Sequence, residues 1–141
     1  IGKVAIPDHI LHKSGKLTDD EFEIVKQHTV IGGNLLYELY RKNQSVRLEV
    51  ARDIVLYHHE RFDGRGYPHG LKGRDIPLCA RIMAVADVFD ALSSMRCYKP
   101  AFSREKCRRV IEEERGKHFD PAVVDAFLRQ EDTFWEIRKR F

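Results

Sequence analysis

Between Arg61 and Asp75 the chain carries Gly64, Gly66, Pro68, Gly70 and Gly73. Four glycines and a proline within fifteen residues exclude a regular helix or strand there. Glycine loses the most conformational freedom on ordering, and proline lacks the N–H that either ladder needs. The patterned segments on either side must therefore pack against each other around a long loop. A loop of that length in a compact domain is either functional or disordered.

Upstream of the loop the pattern is helical. Thr18-Asp19-Asp20-Glu21 has the capping-box sequence, in which a Thr hydroxyl and a Glu carboxylate satisfy free amides at a helix start. Phe22, Val25, Thr29, Gly32, Leu36 and Leu39 then recur at helical spacing, which predicts a helix over 19–41. A second helix is predicted over 46–60, with Leu48, Ala51, Val55 and His58 on one stripe. Downstream, Pro77 suits a first helical turn and opens a third helix reaching Ser94. Two shorter helices follow, over 104–115 and 121–129, with Ser103 and Asp120 as caps. Residues 1–16, holding Pro7, Ser14 and Gly15, read as a turn-rich start. No segment alternates as a strand would, so the expected class is all-α.

The length of 141 residues fits a single domain over 1–141, and a 43% hydrophobic share is enough to build one core. The longest stretch free of Asp, Glu, Lys and Arg runs from Gln27 to Tyr37, well short of the roughly 20 residues a membrane helix needs. Membrane contact by this segment is therefore not expected. A net charge of +3 is too mild and too dispersed for a DNA-binding face, but suits a small anionic ligand. Cys79, Cys97 and Cys107 are odd in number and form no CxxC pair, which points to reduced thiols in a cytoplasmic protein. The chain opens on Ile1 rather than Met, as expected of a piece of a longer polypeptide.

The third helix poses a problem of charge. Ala84-Val85-Ala86-Asp87-Val88-Phe89 is apolar on nearly every face and should be buried, yet it contains Asp87. A buried carboxylate costs several kcal/mol unless it is paired or bound to a metal. An arginine such as Arg81 or Arg96 is one way to pair it, and a metal ion is the other. His58 and His59 sit side by side at the end of the second helix, and His28 lies on the core stripe of the first. Neutral imidazole is the commonest metal-binding side chain, and with carboxylate it suits iron, manganese, nickel or zinc. Adjacent helical residues point about 100° apart, so His58 and His59 cannot share one helical face; they suit two ions, or one ion and a substrate phosphate. Three histidines and one acid on three successive helices form a set that can converge. The glycine loop follows the His pair directly and puts Gly66 and Tyr67 beside it. Arg96 and Lys99, just past the third helix, suit phosphate, although two basic residues in a surface loop also read as solvated charge. His9, His12, His69 and His118 read as surface or structural residues.

Taken together, HHERFDGRGYP (58–68), the AVADVFDAL of the third helix, IGKVAIPDHILHKSGKLTDDEFEIVKQH (1–28) and GKHFDP (116–121) resemble the HD-GYP family, a branch of the HD-domain phosphohydrolases. The resemblance covers nearly the whole chain. It implies an all-helical bundle of the HD-domain type with two or three divalent metal ions, most often Fe or Mn, with Ni and Zn as alternatives. It implies hydrolysis of cyclic di-GMP to linear pGpG, GMP or both, by a metal-bridging hydroxide. His28, His58, His59 and Asp87 fall on the family's metal-ligand positions, and Lys3 on the lysine beside the metal-bridging water and scissile phosphate. Gly66, Tyr67 and Pro68 match the loop over the substrate, and Arg96 and Lys99 match contacts to phosphates and guanine. The family's His-Asp pair and first helices are expected immediately before Ile1, so residues 1–141 read as a partial domain. Met95 and Cys97 stand where an acid and a proline commonly flank the Arg. The resemblance further implies a bacterial cytoplasmic protein with an upstream sensory or receiver domain in the same polypeptide, and it is compatible with a homodimer. The alternative reading is a catalytically inactive cyclic di-GMP receptor that signals through a partner.

Overall fold

The computed structural model describes residues 1–94 and 102–140. Among these, the regular elements are α1 (Asp8–Leu11), α2 (Asp19–Asn43), α3 (Val46–Tyr57), α4 (Leu78–Ser93), α5 (Arg104–Glu113), α6 (Pro121–Arg129) and α7 (Glu131–Arg138), with 3-10 turns at Lys3–Ala5 and Gly73–Asp75. The class is all-α, as the periodicity requires. The Thr18 capping box forms in full, with the Glu21 N–H on the Thr18 hydroxyl at 3.2 Å and the Thr18 N–H on the Glu21 carboxylate at 2.7 Å. Ser103 and Asp120 cap α5 and α6 through their side chains. Two helices fall outside the sequence expectation. α1 is a single turn with no side-chain cap. α7 follows α6 through Gln130 with no capping side chain, and forms because Phe134 and Trp135 find apolar partners on the core.

The chain is organised around α4. On one side Ala84, Val85 and Phe89 join Ile111, Phe119, Val124 and Phe127 in the main core. The Phe89 ring lies 5.6, 5.4 and 5.2 Å from those of Phe127, Phe134 and Trp135, within the range of favourable aromatic pairing. On another side α4 meets α3, which with α2 makes the most extensive helix pair. α4 was expected to be buried all round. It instead buries Ala80, Ala84, Val85, Phe89 and Ser93, while Leu78, Ile82, Met83 and Asp87 are exposed. Its apolar sequence runs on every face, but α3, α5 and α6 cover only part of the circumference among the described residues. Arg81 does not pair with Asp87. Its guanidinium donates to the Asp120 carboxylate and to the Ile76 carbonyl oxygen, tying α4 to the start of α6.

The contact between α2 and α3 is set by two glycines. His28, Thr29, Gly32, Gly33 and Leu36 form the buried stripe of α2. A Cβ at Gly32 would lie 2.6 Å from Cγ1 of Val55, and one at Gly33 would lie 3.2 Å from the Leu56 side chain. The helices approach this closely only because neither position carries a side chain. Substituting Gly32→Ala gains about 1 kcal/mol of helix propensity but forces the stiff β-branched Val55 aside, an overpacking cost of roughly 1–3 kcal/mol. We expect a net loss of stability in chemical denaturation, accompanied by weaker divalent-metal uptake, because the same contact sets the spacing of His28 from His58.

Candidate metal centre

Two histidines of the cluster, His28 and His58, are oriented by the backbone of their own helices. His28 is buried on α2, and its Nδ1 lies 2.6 Å from the Val25 carbonyl oxygen. A carbonyl can only accept, so Nδ1 carries the proton and Nε2 holds the free lone pair. That Nε2 is buried and has no hydrogen-bond partner. His58 caps the end of α3, with Nδ1 3.0 Å from the carbonyl oxygens of both Ile54 and Val55, which again leaves Nε2 as the lone-pair nitrogen. α3 stops at Tyr57, three residues before the expected end, and this early stop brings the neighbouring histidines together. With the backbone leaving the helix, the His58 and His59 rings lie 4.0 Å apart, and the His28 ring is 5.6 and 5.2 Å from them. One ligand atom from each of the three lies within 4.8 Å of the others. A buried, unpartnered lone pair facing two further imidazoles is a donor set that fits a divalent transition metal.

A cavity of about 250 Å³ opens beside this cluster, lined in part by Lys3, His28, His58, Met83 and Asp87. Asp87 is therefore at the site, but exposed to the cavity rather than buried in the helix as expected. A larger groove of about 580 Å³ runs along α4 and α6, but its lining is mainly apolar and holds none of the three histidines. Burial pushes the His59 pKa down to about 3, with the charges of His58, His28, Lys3 and His118 acting the same way. Burial likewise lowers His28. His28 and His59 are therefore neutral at pH 7, the form in which imidazole binds metal. Lys3 is brought here by Gly2, whose φ of 80° and contact with α2 permit no side chain. A Cβ on Gly2 would fall 2.0 Å from the His28 carbonyl oxygen.

The glycine loop folds back over the cluster. The Tyr67 ring stacks on His59 at 4.8 Å, and the Tyr67 N–H donates to the His59 carbonyl oxygen at 3.2 Å. Burial, with Asp87 nearby, pushes the Tyr67 phenol up to about 12. Gly66 crosses the backbone of residues 60–61 so closely that a Cβ would lie 2.3 Å from the Arg61 nitrogen. Pro68 follows Tyr67 through a cis peptide bond. The loop is also tied to the segment after α5. Phe62 and Asp63 donate their N–H groups to the carbonyl oxygens of His118 and Lys117, and Arg61 bridges Asp63 and Glu114.

His28, His58, His59, Lys3, Gly66, Tyr67 and Pro68 thus gather in one region with Asp87, which lines the cavity but is not in the group of three histidines within 4.8 Å, whereas Arg96 and Lys99 lie outside the described residues. Three contributors escaped the sequence reading. Gly2 was legible only as the glycine beside Lys3, and Glu60 only as the acid after the His pair. His118 was read as a surface or structural residue, but it is half-buried, with its pKa lowered by burial and by Arg61.

The lowered histidines have a consequence for stability. A His whose pKa is depressed in the folded state takes up its proton preferentially when unfolded, so the stability it permits is full above about pH 6.5 and is lost as pH falls toward its folded value. Metal-free protein should therefore melt at a lower temperature at pH 5 than at pH 7.5, in differential scanning calorimetry with chelator present. A melting temperature that is flat or rising over that interval would contradict the burial of these imidazoles.

Comparison with known families places this geometry. The HD domain family matches residues 1–123. A protein of Vibrio cholerae named cyclic di-GMP phosphodiesterase is 52% identical over 142 residues, covering all of this chain and 29% of that protein. The cyclic di-GMP phosphodiesterase response regulator RpfG of Xanthomonas campestris is 52% identical over 141 residues, covering all of this chain and 36% of that protein. A 3'3'-cGAMP-specific phosphodiesterase of Vibrio cholerae is 44% identical over 98% of this chain and 26% of that protein. The chain thus spans about a third, or less, of the length of these relatives. With three imidazoles converging beneath the HHERFDGRGYP loop of an all-helical bundle, the chain belongs to the HD-domain family, in its HD-GYP branch.

Proposed function

We propose that this chain is the catalytic domain of a metal-dependent phosphodiesterase acting on cyclic di-GMP. The observation that carries the reading is the convergence of His28, His58 and His59 to within 4.8 Å beneath Tyr67 and beside a cavity that Asp87 and Lys3 also line. The names of the relatives, which cover the whole of this chain at about half identity, support the substrate class. In this reading His28, His58, His59 and Asp87 hold two or three divalent ions, Fe or Mn first. Bound there, such ions supply an acidified water and neutralise charge at phosphorus. An upstream sensory or receiver module belongs to the same proposal, supported by the greater length of the relatives and by one being named a response regulator.

The residues of the chain then have separable tasks. His28 and His59 stay neutral because burial, with the neighbouring charges, disfavours their protonation, so their lone pairs remain available near neutral pH. Lys3 brings a positive charge to the same cavity, where it offsets the negative charge that builds on the phosphoryl oxygens. Tyr67 keeps its proton at neutral pH, so its phenol acts as a hydrogen-bond donor over the substrate and not as a base. Gly66 and Pro68 shape the loop that carries it, and Arg96 and Lys99 are assigned to the phosphates and guanine. In the net reaction a water oxygen bonds to phosphorus, the P–O3' bond breaks, and the proton lost by water ends on the departing 3'-oxygen. One such step gives linear pGpG, and a second gives GMP. No helix among the described residues is long and apolar enough to cross a membrane.

The direct test is chromatography of cyclic di-GMP after incubation with protein loaded anaerobically with Fe(II) or Mn(II), beside a metal-free control. We expect metal-dependent formation of pGpG or GMP, with Asp87→Ala reducing turnover on the order of 100-fold or more. Hydrolysis that persists in Asp87→Ala, or that ignores the metal, overturns the assignment. Preference for 3'3'-cGAMP in direct competition would keep the chemistry and change the substrate.

A further inference from the structure

The carboxylate of Glu60 lies at the junction between the His cluster and the glycine loop, and none of the roles above uses it. Glu60 is 2% exposed. Oε1 accepts the N–H of His69 at 2.7 Å and Oε2 accepts the N–H of Leu71 at 3.0 Å. Among the described residues it has no basic partner within ion-pair distance, and it does not belong to the metal-ligating group of histidines. A buried carboxylate held by two main-chain amides is costly to place and costly to disturb. Its partners lie on the far side of Pro68, while on the near side the Tyr67 N–H is held by the carbonyl oxygen of His59. Two consecutive residues, His59 and Glu60, thus grip the loop before and after the Tyr67-Pro68 dipeptide. Gly66 allows the crossing, since a Cβ there would lie 2.5 Å from Cα of Glu60.

We propose that Glu60 is a positioning residue: by clamping the amides of His69 and Leu71 it holds Tyr67 against His59, and so sets how tightly the substrate is covered without itself ligating metal. The proposal rests on the reading of this loop as the substrate cover. It makes loop closure and the metal-ligand pair one mechanical unit, because the residue that follows a ligand histidine also anchors the cover.

The test uses the metal-loaded full-length protein and the near-isosteric variant Glu60→Gln, whose amide group can satisfy only one of the two N–H donors. We expect KM for cyclic di-GMP to rise about tenfold or more, with a smaller fall in kcat, and metal content to stay at the wild-type level. In hydrogen exchange, the amides of His69 and Leu71 should be protected in the wild type and should exchange faster in Glu60→Gln, while the α2 and α3 amides keep their protection. Loss of metal together with kcat would make Glu60 part of the metal shell and overturn the proposal. So would a KM within twofold of wild type with unchanged exchange at residues 69 and 71. Wild-type amides at 69 and 71 that exchange as freely as a solvated loop overturn it before any variant is made. If the wild type does not hydrolyse cyclic di-GMP, the proposed function fails, and the exchange measurement still decides the role of Glu60.

Discussion

The close approach of α2 to α3 is the constraint from which the site follows. The two helices are joined by only a short turn at Gln44 and Ser45, so they run antiparallel, and the early part of α2 faces the end of α3. Where they cross, Gly32 and Gly33 leave no room for a side chain against Val55 and Leu56. A larger residue at either position would widen the gap by part of a side chain, and His28 would draw away from His58 and His59. Ligand atoms within 4.8 Å of one another can be drawn onto ions, whereas the same histidines a few Å further apart are merely polar residues in a core. The same stripe receives Gly2, which seats against the His28 carbonyl and carries Lys3 into the cavity.

The electrostatics point the same way. Burial pushes the His59 pKa down to about 3 and lowers that of His28, and the Lys3 ammonium and neighbouring imidazoles act the same way. A cluster with this composition is poorly disposed to hold protons and well disposed to hold a metal cation through neutral nitrogen lone pairs. The Nδ1 bonds to backbone carbonyls settle the tautomers of His28 and His58 in advance, so that Nε2 faces the site without reorganisation. Asp87 lines the same cavity from α4, outside the group of three histidines whose ligand atoms lie within 4.8 Å of one another.

Much of this was legible in the sequence, and the remainder has identifiable causes. The period of α2, its capping box and the proline-opened α4 and α6 are local features that survive folding unchanged, so the helical class and most boundaries could be read directly. His28 was legible as a histidine on the core-facing stripe of α2, and the adjacent pair His58-His59 and the acid Asp87 completed the set through their match to the HD-GYP motifs. The convergence of His58 with His59 was not, because on a continuing helix they diverge; it depends on α3 ending at Tyr57. The exposure of Asp87 also escaped, since the apolar run around it gives no sign of which face its neighbours leave uncovered. α7 has no capping signal, and only the tertiary contacts of Phe134 and Trp135 with Phe89 reveal it.

We propose that His28, His58 and His59, with Asp87, form one metal centre. Its most direct test is anomalous diffraction from crystals of the Mn(II)-loaded protein, collected on both sides of the manganese absorption edge. We expect at least one manganese peak within coordination distance of Nε2 of His28 and of a ring nitrogen of His58 or His59, with an Asp87 oxygen in the same shell. Manganese bound only elsewhere on the surface, or a cluster that stays empty with its imidazoles hydrogen-bonded to water, would contradict it.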